Sequence, residues 1–182
     1  VDKIIQDKQK QSDLDLGSKL VGHVTQEIIL ERNIIDKSGW LKFLSMAVHK
    51  WIEIETGKKI SNFHMISSWI VRQFQSEYNP AHWHNGHISG AGFLKVPKNL
   101  GGHIQKSKKT SYSGGQLQLI HGSKMFLCES LLNITPKVGD FYFFPNYLMH
   151  TVYPFTDTDE ERRSISFNAF IDKEIYDVYA DN

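Results

Sequence analysis

His82 and His84 stand two apart in the run Tyr78-Asn79-Pro80-Ala81-His82-Trp83-His84-Asn85-Gly86-His87. Side chains in an extended strand alternate with period 2, so both imidazoles point to one side and can grip one transition-metal ion. Asn85-Gly86 is a two-residue hairpin signal. Such a turn makes His84 and His87 cross-strand neighbours, with Cβ atoms ~5 Å apart, and turns a third imidazole toward the same point. A remote histidine, His150, follows Gly139-Asp140-Phe141-Tyr142-Phe143-Phe144-Pro145, which reads as a buried strand and a proline-marked turn. A close pair on one strand and a single histidine on a distant one suit a metal held across the mouth of a β-barrel. Histidine donors alone leave Zn, Fe, Cu and Ni open.

Beyond His150 comes Arg162-Arg163-Ser164-Ile165-Ser166-Phe167-Asn168. Strand parity puts Arg162, Ser164, Ser166 and Asn168 on one face and Arg163, Ile165 and Phe167 on the other. A polar face within an apolar sheet is costly unless it meets something polar. A guanidinium with a hydroxyl two residues on is a carboxylate receptor, a planar fork with a second donor beside it. The plainer reading pairs both arginines with Asp157, Asp159, Glu160 and Glu161 at the surface.

The elements that must position these groups change character near residue 58. Before it, Leu14, Leu16, Leu20, Val24, Ile28 and Ile29 follow a helical period interrupted by Gly17. Trp40, Phe43, Leu44, Ala47, Val48 and Trp51 form a second apolar stripe, with Ser38 as expected N-cap and Gly57 as terminator. After it, β-type runs predict strands over 67–75, 87–97, 114–120, 124–130, 139–145, 149–155 and 163–171. Short, evenly spaced strands predict a β-sandwich or barrel, with the two helices covering one outer face. The five lysines between Lys95 and Lys109 read as a solvated loop, with steering of an acidic substrate as the alternative.

Composition bounds the function. The chain has 182 residues, a length that predicts one domain: a helical support over 1–57 and a β core over 58–182. Lys plus Arg is 21 against 20 for Asp plus Glu, which gives no global reason to expect nucleic acid or an acidic membrane as partner. No apolar run is long enough to span a bilayer, and the polar start does not resemble a signal peptide. The single cysteine, Cys128, excludes an intrachain disulfide and a multi-cysteine zinc site; it reads as a small core residue and suits the cytoplasm.

From Trp69 to Ile171 the chain resembles the 2-oxoglutarate and Fe(II)-dependent oxygenases, and within them the prolyl 4-hydroxylase-like branch with its bacterial and phage members. Val71-Arg72 leads to Tyr78 and then to His82-Trp83-His84 at the place of the family's His-x-Asp motif. Ile88 to Pro97 is similar to the next barrel strand, and Gly114-Gly115-Gln116-Leu117 to a Gly-Gly-Glu segment. Pro136 to Pro145 with His150-Thr151-Val152-Tyr153-Pro154 resembles the strand, turn and distal histidine, and Arg162-x-Ser164 the Arg-x-Ser that holds the cosubstrate's distal carboxylate.

The resemblance implies a double-stranded β-helix, or jelly roll, with N-terminal helices on its outer face. It implies Fe(II) on His82, His84 and His150, 2-oxoglutarate anchored by Arg162 and Ser164, and dioxygen as oxidant. The implied reaction hydroxylates a small-molecule or peptidyl substrate such as proline. Tyr78 and Gln73 are further candidates for cosubstrate contact. One departure matters: His84 replaces the family's usual carboxylate. Three readings follow: His84 ligates in a neutral three-histidine set, it stands beside the ion while water fills in, or the site has lost its chemistry. His87 is a spare ligand or a substrate neighbour. The oligomeric state is left open.

A cupin-type metal enzyme or small-ligand-binding protein that does not use 2-oxoglutarate is the alternative. Gly139-x5-Pro145-x-Tyr147-x2-His150 follows the second cupin motif with Tyr at a usual Gly. The Glu expected soon after H-x-H is absent, Ile88 and Ser89 occupying that stretch, and cupins give no reason for Arg162-x-Ser164.

Overall fold

The computed structural model describes residues 1–123, 125–127 and 129–177. In chain order it has α1 (Asp2–Gln6), α2 (Lys8–Asp13), a 3-10 turn (Gly17–Lys19), β1 (Gln26–Ile29), α3 (Arg32–Lys37) and α4 (Trp40–Thr56). Then come β2 (Phe63–Gln73), β3 (Asn79–His82), β4 (Ile88–Lys95), β5 (Leu117–Ile120), β6 (Leu131–Ile134), β7 (Phe141–Pro145), β8 (Met149–Val152), β9 (Arg162–Ile171) and α5 (Lys173–Tyr176). Two antiparallel sheets face each other, a larger one in the order β1-β2-β9-β4-β7 and a smaller one in the order β3-β8-β5-β6. The chain passes from one sheet to the other and back, the jelly-roll winding that the resemblance implied.

The helices cover the outer face of the larger sheet. Leu44, Val48 and Ile52 recur every fourth residue of α4 and are buried against Ile165, Phe167, Ala169 and Ile171, the outward residues of β9. Removing one such side chain, as in Leu44→Ala, costs about 2–5 kcal/mol. Trp40 reaches through this layer, its Nε1 donating to Ser68 Oγ at 2.9 Å, and Ser68 Oγ donates to the Ser166 carbonyl at 2.7 Å. Gly90 is required here, because a Cβ would stand 2.7 Å from the rings of both Phe141 and Phe167. A second apolar cluster, Phe93, Leu117, Ile134 and Val152, fills one end of the space between the sheets.

Four expectations need correction. The periodic stretch Leu14–Ile29 is not a helix. Asp15 Oδ1 accepts from Gly17 N at 2.9 Å to form a turn, and Gln26–Ile29 pairs with β2 as an edge strand. That pairing offers the backbone a ready-made ladder, which outweighs a weak helical period broken by glycine. The N-cap of α4 is Gly39, in the left-handed region at φ 76°, rather than Ser38, which closes α3. The strand expected over 124–130 begins instead at Leu131; Phe126 and Leu127 lie in a turn, and Lys124 and Cys128 lie outside the described residues. Asn85-Gly86 does not close a hairpin: β3 belongs to the smaller sheet and β4 to the larger, so the turn carries the chain between them.

Candidate metal centre and anion pocket

Between the sheets lies a cavity of about 250 Å³. Its floor is the inner face of the larger sheet, and strand register lays the polar residues out in rows. Arg162 lies opposite Gln73, Ser164 between Val71 and Phe93, Ser166 between Trp69 and Ala91, and Asn168 between Ser67 and Ser89. The face predicted from parity is therefore the face that lines the cavity.

The metal-type donors close one end. His82 and His150 are direct partners across β3 and β8. His84 follows β3 by two residues and is held in line by its backbone N–H donating to Asn146 O at 2.9 Å. The potential ligand atoms of His82, His84 and His150 lie within 4.8 Å of one another. The carbonyl partners set the tautomers. Nδ1 of His82 meets Pro80 O at 2.7 Å, Nδ1 of His84 meets Asn168 Oδ1 at 2.7 Å, and Nδ1 of His150 meets Leu148 O at 2.9 Å. A carbonyl can only accept, so each Nδ1 carries the hydrogen and each Nε2 presents a lone pair. Ser89 Oγ donates to the same Asn168 Oδ1 at 2.9 Å and fixes the amide that orients His84.

The Nε2 atoms of His82 and His84 are 3.1 Å apart. Two bare lone pairs at that distance repel unless a proton or a cation lies beside both. Nitrogens each ~2.1 Å from one ion, at right angles, stand ~3 Å apart, so the donor set fits a metal. Burial first, and for His84 and His150 also the repulsion of the neighbouring rings, keeps these imidazoles uncharged. His84 is lowered to about 4, His150 to about 3, and His82 is lowered by burial against the pull of Pro80 O. Neutral imidazoles are the form a metal needs.

His87 does not join them. Its ring stacks on Tyr176 at 4.0 Å and its Nδ1 lies 3.1 Å from Ile171 O, on the far side of the inter-sheet turn. The hairpin that would have brought it to His84 is absent. Gln73 and Tyr78 also miss the cavity. Gln73 Nε2 donates to Glu77 O at 2.6 Å, and Tyr78 stacks on His23 at 5.0 Å. The lysines of the 95–109 stretch do not line the cavity.

Arg162 closes the other end. It is 2% exposed, its Nε donates to Gly115 O at 2.9 Å, and its guanidinium carbon lies 5.1 Å from the centre of the Phe93 ring. Among the described residues no carboxylate pairs with it. Burial lowers it to about 10, which still leaves it charged at neutral pH. The expected pairing with surface acids belongs instead to Arg163, whose Nε and Nη2 reach Glu161 at 2.9 and 2.6 Å. Ser164, 6% exposed, stands beside Arg162 on the cavity floor. A buried, unpaired guanidinium beside a free hydroxyl is an anion receptor, and it faces the histidine end across one cavity.

Sequence reasoning missed two polar groups on the cavity wall, Glu27 and Asn79. Glu27 is 3% exposed on β1, yet its Oε2 has no hydrogen-bond partner, nor has Asn79 Oδ1. The signal was present in the Gln-Glu-Ile-Ile of β1, where an acid takes an inward position, but a helical reading of the segment hid it.

No curated protein matches the sequence. Among solved structures, the chain is similar to the viral collagen prolyl hydroxylase of Paramecium bursaria chlorella virus-1, crystallised with 2-oxoglutarate, at 14% identity and a TM-score of 0.51, covering 87% of this chain and 86% of that one. It is also similar to a 2OG-Fe(II) oxygenase family oxidoreductase from Burkholderia pseudomallei, at 13% identity and a TM-score of 0.52, covering 79% of this chain but only 64% of that one. At such identities these likenesses establish the shared fold. The family model for 2OG-Fe(II) oxygenases matches residues 67–168, more than half of the chain and the stretch that holds the three histidines, Arg162 and Ser164. The chain belongs to the 2OG-Fe(II) oxygenase family.

Proposed function

We propose that the protein is an Fe(II)- and 2-oxoglutarate-dependent dioxygenase in which His82, His84 and His150 hold the metal and Arg162 and Ser164 hold the distal carboxylate of 2-oxoglutarate. One observation carries this reading: three imidazoles turn unprotonated Nε2 atoms to a common point, and an unpaired buried guanidinium faces them in the same cavity. Of the three readings of His84 we adopt ligation, supported by the Asn168 hydrogen bond that aims its Nε2 at the other two. The cupin alternative gives Arg162 and Ser164 nothing to do.

When bound, Fe(II) with 2-oxoglutarate and dioxygen supplies the oxidising power for hydroxylating a C–H bond. The chain supplies geometry. Arg162 offers a planar fork that fixes both distance and orientation of a carboxylate, and Gly115 O in turn fixes the fork. Phe93, Leu117 and Val152 keep water from this end, which strengthens the ion pair. Pro80 O, Leu148 O and the Ser89–Asn168 pair hold the imidazoles so that no reorganisation is needed when the metal enters.

We take 1–182 as one oxygenase domain, because the helical layer of 1–57 and the larger sheet share one apolar core. A peptidyl residue such as proline is the first substrate to try, by analogy with the viral enzyme. Among the described residues no helix is long and apolar enough to cross a membrane. The lone cysteine suits a cytoplasmic enzyme. The decisive test is anaerobic. Adding Fe(II) and then 2-oxoglutarate should produce the weak visible charge-transfer band of bidentate chelation. A protein that binds Fe(II) but never develops the band would refute the cosubstrate assignment.

A further inference from the structure

The cavity wall on the β1 side carries Glu27, with Asn79 of β3 beside it, and the proposed chemistry leaves both unused. The inner row that holds Ser164 continues through Val71 to Glu27 on β1, two strands and ~10 Å away. Glu27 makes no side-chain hydrogen bond or ion pair among the described residues, although it is 3% exposed. Asn79 Oδ1 is likewise buried without a donor. The two groups adjoin: a Cβ added at Gly22 would overlap Asn79 Oδ1 and lie 3.1 Å from Glu27 Oε1. Glycine at position 22 lets the chain fold closely over the pair, and Leu16, Lys19, Leu20 and Val21 of the same segment wall the cavity on that side.

An orphaned buried acceptor costs about 1–3 kcal/mol, and more when it is charged. Here two stand together. Burial, and after it the neighbouring anion Asp15, raises the Glu27 carboxyl to about 7. Two unpartnered acceptor oxygens side by side, Glu27 Oε2 and Asn79 Oδ1, match a group that only donates. Ammonium and guanidinium are donor-only; amides and hydroxyls bring an acceptor of their own. Asn79 precedes His82 on β3 by three residues, a rise of ~10 Å along the strand, so a cation placed here stands well apart from the histidine end.

We propose that Glu27 and Asn79 form a substrate subsite for a cationic group, so that the molecule oxidised carries an ammonium or guanidinium remote from the reacting carbon. This rests on the oxygenase reading and names its substrate class, yet its test reads binding without oxygen, so failure of one is distinguishable from failure of the other. The protein, loaded anaerobically with Fe(II) and 2-oxoglutarate, is titrated calorimetrically with Nα-acetyl-arginine amide and Nα-acetyl-lysine amide. The neutral counterparts are Nα-acetyl-citrulline amide and Nα-acetyl-norleucine amide. At least one cation should bind ten-fold or more tighter than its neutral counterpart, and the two arms show whether guanidinium or ammonium is preferred. Glu27→Gln should remove that preference while the charge-transfer band persists; where Glu27→Gln does not fold, Asn79→Ala should reduce the preference. No saturable cation binding, equal binding of cations and neutral counterparts, or a preference untouched by the substitutions would overturn the assignment.

Discussion

Arg162 and Arg163 are neighbours in sequence, and both are buried, but they live in opposite worlds. Arg163 points to the outer side of β9 and meets Glu161 through two hydrogen bonds and Asp2 through a third. Arg72 joins the same Glu161 at 2.7 Å. Glu161 is held below its ordinary value by these arginines against the opposing effect of burial, and Arg163 is raised by Glu161 and Asp2. Every charge there is answered from within the chain. Arg162 points inward to one carbonyl and one aromatic face, and among the described residues it has no counter-ion. A charge without an internal answer is a strong physical pointer to a ligand, because desolvating it costs several kcal/mol that the fold alone does not return. The three histidines follow the same pattern, their Nδ1 atoms satisfied by the protein and their Nε2 atoms not.

The largest expected effect breaks the inner side at the metal. His150→Ala removes the donor from the strand opposite His82, so Fe(II) stoichiometry measured after gel filtration should fall from about one to near zero, with 2-oxoglutarate consumption. His87→Ala, outside the cavity, should leave both at wild-type levels. Retained iron in the first variant, or lost iron in the second, would reverse the assignment of the two histidines.

Next comes the arginine pair itself. Two charge-assisted hydrogen bonds of ~1.5 kcal/mol each correspond to ~10²-fold in affinity. Arg162→Met should therefore raise the 2-oxoglutarate concentration needed for half-maximal turnover by about that factor, with iron still bound. Arg163→Met should do the converse. It leaves Glu161 short of one partner and should cost roughly 2 kcal/mol in urea unfolding, with the cosubstrate requirement unchanged. Similar cosubstrate shifts in both variants would dissolve the distinction between the two faces.

The contrast was partly legible in the sequence. Period-2 alternation placed Arg162, Ser164, Ser166 and Asn168 on one face because β9 is long and central, and its register admits no slip without exposing Phe167. The triad was legible because H-x-H spacing survives even though β3 ends at His82. His87 was misplaced because Asn-Gly describes a local turn and cannot say that the flanking strands belong to different sheets. Leu14–Ile29 was misread because its apolar spacing fits a helix, while the strand it joins lies more than thirty residues away. Glu27 was lost with it. Long-range pairing decided each of these, and local pattern carries no record of it.

Acidification probes the unanswered side more gently. The buried histidines are neutral when folded and titrate near 6.5 when unfolded, so the unfolded state takes up protons first as pH falls. Metal-free stability is fully present above 6.5 and is lost between there and about 4 for His84 and about 3 for His150. The loss per group approaches ~1.4 kcal/mol per pH unit. Glu27 acts oppositely: its raised value, about 7, means that stability present below 4.5 is lost as pH rises through 7. Urea midpoints at pH 7.5 and 5.0 should show a smaller acid loss in His150→Gln than in wild type. At pH 8, Glu27→Gln should be the more stable protein, an advantage absent at pH 4.5. An unchanged acid loss in the first variant would mean that the His150 ring is protonated in the fold.

The smallest effect isolates the hydroxyl beside the fork. Ser164 is 6% exposed and lines the cavity floor, and among the described residues its Oγ has no hydrogen-bond partner within the chain. Replacing it by Ala removes no internal bond, so the urea midpoint should stay within ~0.5 kcal/mol of wild type. A single hydrogen bond to a carboxylate is worth ~1.5 kcal/mol, so the half-saturating 2-oxoglutarate concentration should rise about ten-fold, well short of the change in Arg162→Met. The double variant decides whether the two residues act on one ligand. If Ser164 and Arg162 grip the same carboxylate, removing the fork lets that end of the cosubstrate wander, and the serine then has little left to lose. A strictly multiplicative double variant would instead give the hydroxyl a partner of its own, separate from the carboxylate that Arg162 binds.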